Sequence, residues 1–136
     1  MKVLFVLPVI GTLAGCEIQS QEAFDAQPFD TTVGVSRQYQ AVYADVLRGA
    51  RQCWGVGPVV AAMPQAYQLD AQLYPDLGYG EVYSYGAGTV FAPQALVRIE
   101  RSGAGATVSV RTGRIAGSQA LFVQPALHWA EGNIGC

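Results

Sequence analysis

The sequence predicts an α+β domain in which one amphipathic helix packs across an antiparallel sheet of about four to five strands. Three observations carry that expectation. An apolar stripe recurs at steps of three and four from Ser36 to Trp54, the period changes to two after Pro58, and alternating runs then flank two sets of turn-forming residues.

The helix rests on Tyr39, Val42, Tyr43, Val46, Leu47, Ala50, Cys53 and Trp54, whose spacing places them on one face. Ser36 is suited to cap its start, and Gly55 with Gly57-Pro58 ends the run. Cys53 falls on the buried face beside Trp54, which favours a structural sulfur over a reactive thiol.

In the next segment Tyr67, Leu69, Ala71 and Leu73 alternate with Gln68, Asp70 and Gln72, as in a strand with one apolar and one wet face. Pro75-Asp76-Leu77-Gly78 has turn chemistry, and Tyr79 to Tyr85 reads as the returning strand. A second hairpin can be read to its register. With Arg101 facing Ala106, Ile99 opposes Val108, Val97 opposes Val110 and Arg98 opposes Ser109, whereas a slip of one residue sets valines against arginines. The loop then has two or four residues, with Gly103 suited to a type II′ turn in the shorter case.

Beyond it, Leu121-Phe122-Val123 reads as a last strand, followed by a short helix with Pro125 at its first position and Gly132 just past its end. Trp129 on that helix faces the core, and Ile134 leads into Cys136. Ahead of the first helix, residues 17–35 are rich in Gln, Asp, Thr and Ala. They read as a tether mostly without regular structure, with Phe24 and Phe29 available to dock on the body.

The first sixteen residues carry a different kind of information. Lys2 supplies a positive start, Val3 to Ile10 an apolar stretch, and Leu13-Ala14-Gly15-Cys16 small residues before a cysteine. This pattern resembles the bacterial lipoprotein signal, the lipobox. The resemblance implies that residues 1–15 are a signal peptide removed on maturation, and that Cys16 receives a diacylglycerol thioether and is then N-acylated. An ordinary secretory signal with a chance cysteine is the plainer alternative. The run from Val3 to Gly15 has only 13 residues, against the roughly 20 needed to span a bilayer, and Pro8 and Gly11 interrupt it. Two or more acyl chains anchor stably. Glu17 stands where the family's inner-membrane retention signal favours Asp, so the resemblance points to the outer membrane, facing the periplasm.

Maturation at Cys16 leaves a tether at 16–35 and one α+β domain at 36–136. With Cys16 lipidated, Cys53 and Cys136 are the remaining thiols in an oxidising compartment, which predicts a disulfide between them. The layout of lipobox, Cys-Trp at a helix end and Trp-Ala-x-Gly running to a terminal Cys also resembles small lipoproteins of Gram-negative bacteria, a likeness that implies no particular activity.

Function classes follow mainly by subtraction. Without Lys2, seven arginines face ten acidic residues, which gives no basic face for nucleic acid. Arg98, Arg101, Arg111 and Arg114 cluster in sequence around Glu100 and read as a solvated sheet face. No ligands stand at metal-site spacing, no cofactor is implied, and His128, the sole histidine, has no framed nucleophile, so no catalytic residue is assigned. Asp76 and Glu81 flank a turn as any turn-rich surface does, and Gly86-Ala87-Gly88 lacks the spacing of a nucleotide loop. One patch asks for a functional reading: Tyr74, Tyr79, Tyr83 and Tyr85. Tyrosines offer flat apolar faces with polar tips, suited to protein interfaces and to sugar rings, and are also ordinary strand residues. Tyr79, Tyr83 and Tyr85 share parity with Glu81, on a face expected to be partly exposed.

The expectation is therefore a non-enzymatic interaction or structural component of the cell envelope. It is held to the membrane by its lipid and partnered by an envelope protein. The alternative is a glycan-binding or lysozyme-inhibitor-like module that recognises cell-wall material.

Overall fold

A computed structural model describes residues 19–54, 68–86, 92–113 and 117–136. In chain order these form α1 (Gln21–Asp25), β1 (Thr31–Val35), α2 (Tyr39–Cys53), β2 (Gln68–Tyr74), β3 (Tyr79–Tyr85), β4 (Pro93–Ser102), β5 (Gly105–Thr112), a π-helical turn (Gln119–Val123) and α3 (Gln124–Ala130). The five strands make one antiparallel sheet in the order β1-β5-β4-β3-β2. The α+β class, the helix on one face of the sheet and the disulfide are as the sequence predicts.

Both hairpins form, and the second takes the register expected for it. Arg101 faces Ala106, Ile99 faces Val108 and Val97 faces Val110, while Ser102 pairs with Gly105 to leave a two-residue loop. Gly103 there has a φ of 57°, and no described non-glycine residue has a positive φ. That excludes a type I′ turn, which needs two such residues, and fits type II′. In the first hairpin Tyr74 pairs with Tyr79, and Gly78 supplies the positive φ.

Period-two alternation sends Val82, Val97, Ile99, Val108 and Val110 to one face, where α2 and α3 cover them completely. Helix α2 contributes Val42, Val46 and Ala50, spaced by four, and Leu69, Ala71 and Leu73 of β2 pack at the margin. Gly80 lets the Tyr43 ring lie on the sheet, since a Cβ there would stand 2.5 Å from it. The tail is pinned by two indoles. Trp54 Nε1 donates to Leu121 O and Trp129 Nε1 donates to Gly135 O, both at 3.0 Å, and the two rings meet edge-on with centroids 4.9 Å apart. Arg37 adds a bond to Ala130 O at 3.0 Å and an ion pair with Asp45 at 2.6 Å. The Cys53–Cys136 bond closes this end of the domain, with Cα atoms 5.5 Å apart.

Four expectations need correction. Leu121-Phe122-Val123 is helical, not a strand, because Phe122, Ala126, Trp129 and Ala130 form a single buried stripe at steps of three and four that runs through Pro125. Ser36 does not cap α2, which begins at Tyr39 behind Gln38 with no side-chain cap. The tether is not without regular structure: Ser20 caps α1 by accepting from Ala23 N at 3.1 Å, and β1 extends the sheet from Thr31, ahead of the domain start expected at 36. The three described arginines of this cluster do not share a solvated face. Arg101 reaches Pro75 O, Arg98 pairs with carboxylates and Arg111 is buried. Residues 1–18, 55–67, 87–91 and 114–116 lie outside the described residues, and with them Cys16, the glycines expected after α2, Tyr67 and Arg114.

Candidate functional site

The sheet has a second face, turned away from α2 and α3, and all four singled-out tyrosines stand on it. Their parity fixes this: Tyr74 and Tyr79 pair across the first hairpin, Tyr79 aligns with Glu100 of β4, and Tyr83 aligns with Leu96. None of the four is fully buried.

The half of this face beside the β2 edge is open. Tyr74 and Tyr79 hold their ring centroids 4.9 Å apart, and the Arg98 guanidinium lies 4.3 Å from the Tyr79 centroid. Arg98 is in turn fixed by Glu81 at 3.0 Å and Glu100 at 3.1 Å. Glu81 is therefore engaged with arginine. Along the edge strand Gln68, Asp70 and Gln72 are exposed, so planar polar side chains border the rings. The platform is rigid, aromatic and amphipathic, as a contact surface requires.

The other half is covered by the chain's own N-terminal segment. Phe24 of α1 is 0% exposed, yet it lies outside the helix-side core cluster. Its ring lies 6.4 Å from that of Tyr83 and 5.6 Å from the Arg111 guanidinium. Between those two, in register, sits Leu96 of β4, 2% exposed and likewise outside the main cluster. Phe29 adds a second ring 4.3 Å from Arg111. Asp30 then fastens the segment by accepting from the Thr112 backbone at 2.9 Å and from the Thr112 hydroxyl.

Arg111 is the least expected member of this site. The residue is only 9% exposed, its nearest carboxylate oxygen is Asp25 Oδ1 at 3.9 Å, and its Nε has no hydrogen-bond partner. Four buried side-chain polar atoms among the described residues lack a partner, and three of them are Arg111 Nε, Gln19 Oε1 and Gln27 Oε1, in or beneath this segment. Each such atom costs about 1–3 kcal/mol, comparable to the roughly 1.5–3 kcal/mol that burying one Phe contributes. These unpartnered atoms offset part of what the buried Phe24 ring contributes to holding the cover.

Tyr83 donates to Asp25 Oδ1 at 3.3 Å. Burial, reinforced by the Glu81 and Asp25 carboxylates, pushes its phenol well above the ordinary tyrosine range, and burial with Asp70 raises Tyr85 in the same direction. Both phenols are neutral donors at physiological pH. Tyr83 and Tyr85 stack with an interplanar angle of 15° and centroids 5.8 Å apart, linking the covered half to the open one.

No protein family, curated protein or solved structure matches this chain.

His128 is exposed on α3 and borders an open depression of about 630 Å³ with Gln124, Asn133 and Ile134; among the described residues no Asp or Glu side chain lines it. Among the described residues no group of His, Cys, Asp and Glu is placed to hold a metal ion, and no helix is long and apolar enough to cross a membrane. Sequence reasoning found the tyrosines and missed Arg111, Leu96 and Asp25. The available signal was Leu96, which breaks the alternation by placing an apolar residue between the inward-facing Ala95 and Val97.

Proposed function

We propose that the protein is a lipid-anchored, non-enzymatic interaction domain of the bacterial envelope, attached through Cys16 to the outer membrane and facing the periplasm. The lipobox-like Leu13-Ala14-Gly15-Cys16 supports the anchor. Gln19, the first described residue, packs near Gly113, so two intervening residues tie the domain within about 10 Å of the acylated cysteine. The observation that carries the interaction role is the open half of the outer face. Tyr74, Tyr79 and Tyr85 are fixed there by their neighbours and only partly buried, while the opposite face of the same sheet is sealed.

Crosslinking in living cells, with mass spectrometry of the captured material, tests this reading against a Tyr79→Ser/Tyr85→Ser variant. An envelope protein captured by the parent and lost in the variant supports it, whereas capture indifferent to the tyrosines contradicts it.

One observation favours a second reading. The Tyr74–Tyr79 pair is bordered by exposed Gln72, a combination of ring faces and a planar hydrogen-bonding group suited to sugars. A wall-glycan or lysozyme-inhibitor-like module would use the same surface. Retention on purified peptidoglycan, abolished by Tyr74→Ser/Tyr79→Ser, selects that reading.

A further inference from the structure

We propose that residues 19–30 are a self-docked strap filling a second binding groove, the Tyr83–Leu96–Arg111 row of the outer face. That groove accepts in trans a partner segment carrying an aromatic side chain next to a carboxylate. The proposal stands apart from the lipid anchor and from the open tyrosine half.

The chemistry of the ligand is that of the strap itself. Phe24 fills the space above Leu96, flanked by the Tyr83 ring at 6.4 Å and the Arg111 guanidinium at 5.6 Å, and the adjacent Asp25 is the carboxylate that both polar tips address. The fit is incomplete where it matters for exchange. Asp25 stops 3.9 Å from Arg111 Nη1, beyond hydrogen-bond reach, and Arg111 Nε, on a residue more than nine-tenths buried, has no partner. An arginine presents a fork of donors that a carboxylate can satisfy through two parallel bonds. A segment seating its carboxylate squarely on Arg111 gains what the strap leaves unmade.

The strap is also built to leave. Its backbone hydrogen bonds are internal, Phe24 N to Ser20 O and Ala26 N to Glu22 O, until Asp30 N reaches Val110 O at the start of the sheet. Phe24 and Leu96 are buried on the outer face and are not part of the helix-side cluster, so lifting the strap should leave that cluster in place. Pro28 and Asp30 are exposed at the junction with β1.

A labelled synthetic peptide of residues 19–30 is the probe, and its binding to the disulfide-bonded full chain in detergent is read by fluorescence anisotropy. The parent chain is expected to bind weakly, because the strap competes in cis at an effective concentration on the order of millimolar. Phe24→Ala in the chain loosens the strap and is expected to tighten peptide binding at least ~10-fold, about what removal of such a competitor allows. Adding Arg111→Gln should remove that gain, and a peptide with Asn in place of Asp25 should bind ~10-fold more weakly to the unaltered groove, in line with loss of one charge-assisted contact. A folded Phe24→Ala chain that binds the peptide no better than the parent overturns the proposal. So does loss of the cooperative unfolding transition in that variant, which would make the strap part of the main core.

Discussion

Gly49 of α2 lies flat against the indole of Trp129, so closely that a Cβ added there would overlap the ring. The contact brings α3 onto α2 and lets Trp129 reach Gly135, the residue before the disulfide. Gly49→Ala should therefore destabilise the domain by about 1–3 kcal/mol, the usual cost of overpacking. The midpoint of denaturant unfolding, with the disulfide intact, measures it.

The disulfide closes a span of 83 residues, for which chain entropy gives roughly 4–5 kcal/mol. Reduction, or Cys53→Ser with Cys136→Ser, should lower the urea midpoint accordingly. Because Cys136 holds the segment that accepts from Trp129, the tail should loosen before the sheet does. An indole fluorescence change that precedes loss of the far-ultraviolet signal is the expected sign.

Glu81→Gln offers a contrast. Its partner Arg98 is half-exposed and keeps Glu100 and the Tyr79 ring, so the loss should stay within about 1 kcal/mol. Thermal unfolding of the two variants side by side should separate Gly49→Ala from Glu81→Gln clearly.

Alkaline pH should act on the outer face. The phenols of Tyr83 and Tyr85 are raised in the folded state above the ordinary value of about 10. The stability they contribute is thus fully present below pH 10 and is lost as pH rises through their folded-state values. Phenolate absorbance should show a late-titrating fraction in the folded chain that disappears on unfolding. Tyr83→Phe should shrink that fraction.

Hydrogen exchange should divide the molecule along the same line. The amides of Phe24, Ala26 and Gln27 are bonded within the segment that covers Arg111 and should exchange by local opening. Amides paired between β4 and β5 should exchange only with global unfolding. Equal protection of the two sets would contradict the weak attachment inferred from the orphaned Gln19, Gln27 and Arg111 atoms.

The parts of this fold legible in the sequence are those in which one periodicity runs unbroken. Val42, Val46 and Ala50 announce α2, and Val97, Ile99, Val108 and Val110 fix a register that the structure reproduces pair by pair. β1 was hidden because Thr31–Val35 is short, contains Gly34 and lies at a sheet edge, where a weak alternation suffices. The helical character of Leu121–Val123 was masked by Pro125, which reads as a helix start although the buried stripe passes through it. At the candidate site, parity placed the tyrosines. The burial of Arg111 was out of reach, because the rings that enclose it, Phe24 and Phe29, lie more than eighty positions earlier in the chain.

The proposed anchor would decide where any of these surfaces can work, and the intact mass of the protein extracted from bacterial membranes tests it most directly. A lipidated protein gives a mature chain that begins at Cys16 and carries a diacylglyceryl group and an N-acyl chain, both lost in Cys16→Ser. An unmodified chain cleaved at another bond, or one still bearing residues 1–15, would contradict it.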